Sequence, residues 1–229
     1  MKDKPKYFNF PVPLLSNFLT NKKECLDNIL YYSLYYHAEN KLEHGSIDQR
    51  IKASADHYNV QLGSAANAIL NGKELNEVYN DQNLPIIGLS LNIYWDYRSN
   101  YKTEFEDVTL LAFLAIKSIV QKKSYNKLTN LFWLSRMNGN PGTVESAKEL
   151  SNELQRYAKE YQITKIKDEL SINWNLIHYG RYTRGFYVSF KMTLENLIFQ
   201  VEKKRKSKQV QTEKEKRKIA LSKAMERLK

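Results

Sequence analysis

Apolar residues recur at helical spacing early in the chain. After an extended entry set by Pro11 and Pro13, Leu15, Phe18, Leu19, Leu26, Ile29 and Leu30 lead up to Tyr36 and predict one or two helices. The block Tyr31, Tyr32, Tyr35 and Tyr36 covers more than one face of such a helix. It is expected in the core with hydroxyls directed outward, with stacking on bases as the competing use. A second helix opens at Ser46, because Ser46 and Gln49 have the spacing at which a cap residue and the third helical residue satisfy each other's free N–H; it runs to Tyr58. Gly63 and Ser64 lead into a third helix, Ala65 to Leu70, with Asn71 and Gly72 as its stop. Between Asn83 and Tyr97, Leu89, Leu91, Ile93 and Trp95 alternate with Ser90, Asn92 and Tyr94. That period of two predicts a strand, or else an irregular linker, and the stretch is taken as a domain junction. Thr103 and Glu106 repeat the capping-box spacing before Glu104 to Gln121, whose breadth of Leu, Phe, Ile and Val predicts burial on most sides.

In the second half, Lys122, Lys123 and Ser124 break that helix, and Tyr125 to Met137 predicts another, ended by the turn Asn138 to Gly142. From Thr143 to Glu160 the pattern is amphipathic. Val144, Ala147, Leu150, Leu154, Ala158 and Tyr161 fall on one side, and Lys148, Asn152, Gln155 and Lys159 on the other with Arg156 beside them. These polar residues are donors of the kinds that meet phosphates and base edges. A short helix, Thr164 to Leu170, follows. Two strand-like runs, Ile172 to Tyr179 and Phe186 to Lys191, then flank Gly180, Arg181, Tyr182, Thr183, Arg184 and Gly185, which predicts a β-hairpin with a basic, aromatic tip. Thr193 caps a last helix with Leu194, Leu197, Ile198 and Val201 in one stripe.

Three helices followed by such a hairpin, over about Thr103 to Lys191, resemble the winged-helix modules of plasmid and mobile-element replication proteins. The resemblance implies a helix that enters the major groove and a wing that contacts backbone or minor groove. The expected fold class is mainly α: a helical N-terminal domain over residues 1–100, a winged-helix-like domain with one β-hairpin over 101–200, and a basic helical or partly disordered tail over 201–229. The pair of helices over 46–70 also has a helix-turn-helix shape, but only Lys52 and Lys73 are basic on its second-helix side or near it, so it is read as packing.

Charge sharpens the division. Residues 1–110 hold 11 Lys/Arg against 14 Asp/Glu, whereas residues 111–229 hold 25 against 11, a net of +14. Clustered positive charge concentrates a polyanion and gains from counterion release. Between Gln200 and Lys229 alone there are 12 Lys/Arg against 4 Glu, with no Gly or Pro to break a helix. The expected partner is duplex DNA. Lys148, Asn152, Gln155, Arg156 and Lys159 would face a groove, Arg181, Tyr182, Arg184 and Lys191 would grip from the wing, and Lys203, Lys204, Arg205 and Lys206 from the tail. The N-terminal domain would serve a homo-oligomer or another partner contact. The competing expectation is a helical protein–protein interaction module whose lysines only solubilise it.

Catalysis is not expected, nor a cofactor or metal. The four histidines, His37, His44, His57 and His178, lack metal-ligand spacing, and the chain has no phosphate-cradling glycine loop. His178 and Arg181 have the HxxR spacing found in tyrosine recombinases, with Tyr182 or Tyr187 as the nucleophile such an enzyme would need, but the motif straddles the hairpin turn. The single cysteine, Cys25, the lack of a secretory leader pattern, and an apolar run limited to Leu110 to Ile116 lead to an expectation of a cytoplasmic protein without a membrane span.

Overall fold

Strands from the two ends of the first hundred residues meet as an antiparallel pair. β1 (Tyr7–Pro11) lies beside β2 (Ile86–Ser90), with Phe8 opposite Leu89 and Phe10 opposite Ile87. These four side chains are buried while Tyr7 and Asn9 point outward, the alternation a one-sided sheet requires. The protein is described by a computed structural model for residues 5–79, 83–180 and 185–227, with side chains to residue 220.

Between the strands, a 3₁₀ turn (Val12–Leu15) leads into α1 (Lys22–Lys41), α2 (Ile47–Tyr58) and α3 (Ala65–Tyr79). The reciprocal Ser46–Gln49 box opens α2, and Asn59, in the left-handed conformation at φ 53°, closes it. Gly72 does not stop α3. A Cβ there would lie 2.6 Å from Tyr35 Cβ and 2.7 Å from the Tyr31 carbonyl oxygen, so the glycine is the point where α3 presses onto α1. One turn on, the buried Asn76 amide donates to the carbonyls of Tyr32 and Gly72. The tyrosine block is core, as expected: Tyr32 is buried, and Tyr31, Tyr35 and Tyr36 pack against the apolar cluster.

Only the first half of the period-two stretch is a strand. At Ser90 the hydroxyl accepts from the Ile93 N–H and starts α4 (Leu91–Ser99). Tyr94 and Tyr97, three residues apart, are the side chains it buries. Arg98 at the end of α4 holds Asp27 of α1, and the Tyr94 hydroxyl donates to the Leu26 carbonyl.

Next comes α5 (Glu104–Val120), opened by the Thr103–Glu106 box and buried from Val108 to Val120 except at Phe113 and Lys117. It touches β2 and the first 3₁₀ turn as well as later elements of the chain, and a single apolar cluster runs from Phe8 through Leu111 and Trp133 to Val188.

The second half contains β3 (Asn126–Leu128), α6 (Asn130–Met137), a 3₁₀ turn (Ala147–Glu149), α7 (Asn152–Gln155), α8 (Glu160–Asn173), β4 (Ile177–Tyr179), β5 (Phe186–Ser189) and α9 (Leu194–Arg227). The strands form an antiparallel sheet in the order β3-β5-β4. The predicted hairpin is present as β4–β5, with its first strand beginning at Ile177 rather than Ile172 because Ile172 and Asn173 still belong to α8, and the fold class is mainly α.

Three sequence expectations are corrected here. The predicted helix from Tyr125 begins as β3 and becomes helical only after Thr129, whose hydroxyl caps Phe132 N–H. The predicted helix Thr143 to Glu160 does not exist. The Glu149 carboxylate accepts from the N–H groups of Glu145 and Ser146, the Ser151 hydroxyl accepts from Leu154 N–H, and Asn138 Oδ1 accepts from Ser151 N–H, so local side-chain bonds displace the helix ladder. In exchange, the short helix predicted at Thr164 to Leu170 is the longer α8. Among the described residues, no helix is long and apolar enough to cross a membrane.

Candidate nucleic-acid interface

α8 buries Ile163, Ile166 and Leu170 and leaves Tyr161, Thr164, Lys165, Asp168 and Ile172 open to solvent, the division that 3.6 residues per turn dictates. Tyr161 and Ile172, at the two ends of this face, are 74% and 75% exposed. Lys165 lies over the Phe105 ring at 4.3 Å. With one lysine and one aspartate, this open face is suited to reading edges and apolar groups rather than to gripping phosphates.

The predicted row of donors is dispersed. Lys148 lies in the 3₁₀ turn, Asn152 begins α7 and Lys159 precedes α8, all exposed. Gln155 turns inward, its amide donating to the carbonyls of Leu150 (2.8 Å) and Lys148 (3.2 Å), and so closes the loop. Arg156 pairs with Glu104 at 3.1 Å, fastening the loop to the start of α5. Lys159 therefore stands at the start of α8, and Lys148 and Asn152 lie in the loop before it, instead of forming a helix face of their own.

Of the wing residues, Arg181, Tyr182 and Arg184 lie outside the described residues. The hairpin root is defined: Gly185 has φ 94°, and a Cβ there would overlap the Leu128 carbonyl oxygen of β3, so a glycine is required. Lys191 sits beyond the opposite end of β5 from the tip, where its Nζ donates to the Lys122 carbonyl. It belongs with Lys122 and Lys123 rather than with the wing tip.

Lys203, Lys204, Arg205 and Lys206 are exposed on α9, which is anchored by the buried Leu197 and Val201 and is exposed from Lys203 through residue 220. Arg205 pairs with Glu202 at 2.8 Å, and Glu202 also accepts from the Tyr179 hydroxyl, tying the helix to β4.

Lys167, absent from the predicted set, holds α8 against the hairpin root. Its Nζ lies 3.7 Å from the Phe186 ring centroid and donates to Asn130 Oδ1 at 3.0 Å. Burial pushes its pKa from the usual 10.5 down to about 8. His178 on β4 is also lowered, by burial first and then by Lys167. Because the unfolded chain binds the Lys167 proton more tightly, stability rises with pH from about 8 toward 10.5, and at pH 7 the buried charge is a cost. Lys167→Met should therefore stabilise the fold at pH 7 by about 1 kcal/mol, a figure reduced for partial solvent access and for the cation–π attraction that the substitution removes. Urea denaturation of both proteins at pH 7 and pH 9.5 checks this: the gap should shrink at the higher pH, and a variant less stable at pH 7 would contradict it.

Of the recombinase-like constellation, Arg181 and Tyr182 lie outside the described residues, and the two described members, His178 and Tyr187, are on opposite faces of the sheet. His178 stands opposite Val188, whose side chain is buried, while Tyr187, one residue along β5, points to the other face of the sheet. Cys25 is buried, its Sγ donating to the Leu14 carbonyl, and burial raises its pKa to about 12. No group of three or more His, Cys, Asp or Glu among the described residues could hold a metal ion.

The structure thus defines a mainly helical protein in which a three-stranded sheet with a hairpin and a long basic helix follow a buried central helix. Comparison with protein-family models, curated proteins and solved structures finds no match.

Proposed function

We propose that the protein binds duplex DNA without catalysing a reaction on it, and that residues from α5 to β5 act as a winged-helix-like module. The observation that carries this reading is the chain order α5, β3, α6, α7, α8, β4, β5, with α7 only a single short turn, around a sheet ordered β3-β5-β4. Here α8 plays the part of the groove-reading helix and the β4–β5 connection that of the wing. In this reading Tyr161, Thr164, Lys165 and Asp168 meet base edges, and Lys148 and Lys159 meet flanking phosphates. Arg181 and Arg184 grip backbone from the wing, and α9 adds further backbone contact. The resemblance to replication modules makes replication or transcription of a mobile element the proposed setting.

One observation favours a second reading, a protein–protein contact through the N-terminal helices: Leu70 on α3 is 68% exposed. The two readings separate in a fluorescence titration with labelled duplex at two salt concentrations. Duplex binding at about 50 mM salt that weakens steeply toward 200 mM is expected, since each neutralised phosphate contributes about 0.9 to the logarithmic salt slope. No binding at the lower salt would overturn the DNA reading.

A further inference from the structure

The three-stranded sheet has two faces with different occupants. Phe186 and Val188 point to the buried face, toward α5 and α6. On the other face Tyr187 stands beside its cross-strand neighbours Lys127 and Tyr179. There the sheet and the first part of α9 enclose a groove of about 650 Å³. Lys127 and Tyr187 form its floor, and one face of the helix forms its wall, with Lys204, Arg205, Lys208 and Lys216 directed along it. From Val201 to Lys216 that wall runs about 22 Å at 1.5 Å per residue, room for several nucleotides.

Charge in the groove is positive and mostly uncommitted. Its two carboxylates are Glu202, already engaged by Arg205 and the Tyr179 hydroxyl, and Glu213. Among the described residues Lys127, Lys204, Lys208 and Lys216 form no ion pair. The floor is aromatic: the Tyr125 ring stands 6.3 Å from that of Tyr187, and the Lys127 ammonium lies 5.8 Å from the Tyr187 centroid. A flexible, exposed lysine over a tyrosine can move to a phosphate and leave the ring face to a base.

We propose that this groove binds single-stranded nucleic acid, with phosphates along the lysines of α9 and a base stacked on Tyr187. The proposal rests on the nucleic-acid reading of the basic half but concerns the face of the sheet opposite α8. Stacking decides for a single strand. In a duplex the faces of the bases are covered by their neighbours and only edges are offered, whereas an aromatic floor with a basic wall is how sequence-tolerant single-strand sites are built. A protein so arranged holds duplex on one face of the sheet and an unpaired strand on the other.

The test is a titration of the full chain with fluorescein-labelled (dT)15, and in parallel with a duplex, at 150 mM salt. Lys127→Glu with Lys208→Glu reverses two charges in the groove, and Lys214→Glu with Arg217→Glu reverses the same number on the back of the helix. The groove pair should lower (dT)15 affinity more than tenfold and the back pair no more than about threefold. Tyr187→Leu should lower it about tenfold with little change for duplex, and Tyr187→Phe should bind (dT)15 like the unaltered protein. Equal losses from the two charge pairs, or full (dT)15 binding by a folded Tyr187→Leu, would overturn the proposal. If Tyr187→Leu fails to fold, the two charge pairs decide. Duplex binding without (dT)15 binding sinks the groove alone, and binding of neither sinks the DNA reading beneath it.

Discussion

Ending the chain at Glu202 is expected to leave the fold intact and to remove much of the affinity for nucleic acid. The segment removed, residues 203–229, carries 12 Lys/Arg against 3 Glu. Its part up to residue 220 is exposed, so its removal uncovers little apolar surface, while the anchors Leu197 and Val201 and the Tyr179–Glu202 bond remain. Each phosphate left without a cation flattens the slope of log K against log salt by about 0.9 for duplex and about 0.7 for single strands. Four such phosphates would change affinity by well over tenfold near physiological salt. Near-ultraviolet circular dichroism should be unchanged, which makes the comparison one of binding. A truncated protein that binds duplex with the same affinity and the same slope would place the whole electrostatic contribution on the wing and the residues leading into α8.

The largest loss of stability is expected from Trp133→Ala. The indole is fully buried on α6, donates from Nε1 to the Ala112 carbonyl of α5 at 3.0 Å, and packs edge-on against Phe186 at 5.7 Å. Truncation leaves a cavity between three elements and removes a buried donor from its acceptor, a change that costs about 3–5 kcal/mol. Trp133→Phe keeps most of the volume and should cost less than half as much. Urea unfolding measures both. A loss below about 1 kcal/mol for the alanine variant would mean that α6 does not rely on this side chain. Because Phe186 begins β5, the same variant should loosen the hairpin root and weaken duplex binding beyond its effect on folding.

Much of the architecture was legible from local chemistry. Ser46 with Gln49 and Thr103 with Glu106 announced two helix starts, since a capping box satisfies N–H groups that nothing else nearby can reach. The glycines at 180 and 185 and the alternation through Phe186 and Val188 that follows them announced the hairpin. Where expectation and structure part, two local signals compete. The run Leu89 to Trp95 alternates, yet Tyr94 and Tyr97 also satisfy a helical spacing, and the cap at Ser90 together with the anchor of Tyr94 on Leu26 decided for helix. In Thr143 to Glu160 the apolar residues repeat at helical spacing, but the Glu149 and Ser151 side chains bind backbone N–H groups inside it.

The sequence by itself determined the fold class, the two boxed helices, the hairpin and the concentration of positive charge after residue 110, because each depends on residues within a turn or two of one another. Only the tertiary structure decided which side chains share a surface. It spent Gln155 and Arg156 on holding the loop to itself and to α5, moved Lys191 away from the wing tip, and brought Lys127 of β3 beside Tyr187 of β5 and within one groove with Lys208 of α9. It also turned Gly72 from an apparent helix stop into the place where two helices touch. The reason is the same in each case: cross-strand register and helix crossing join residues far apart in the chain, and no local periodicity records which will meet.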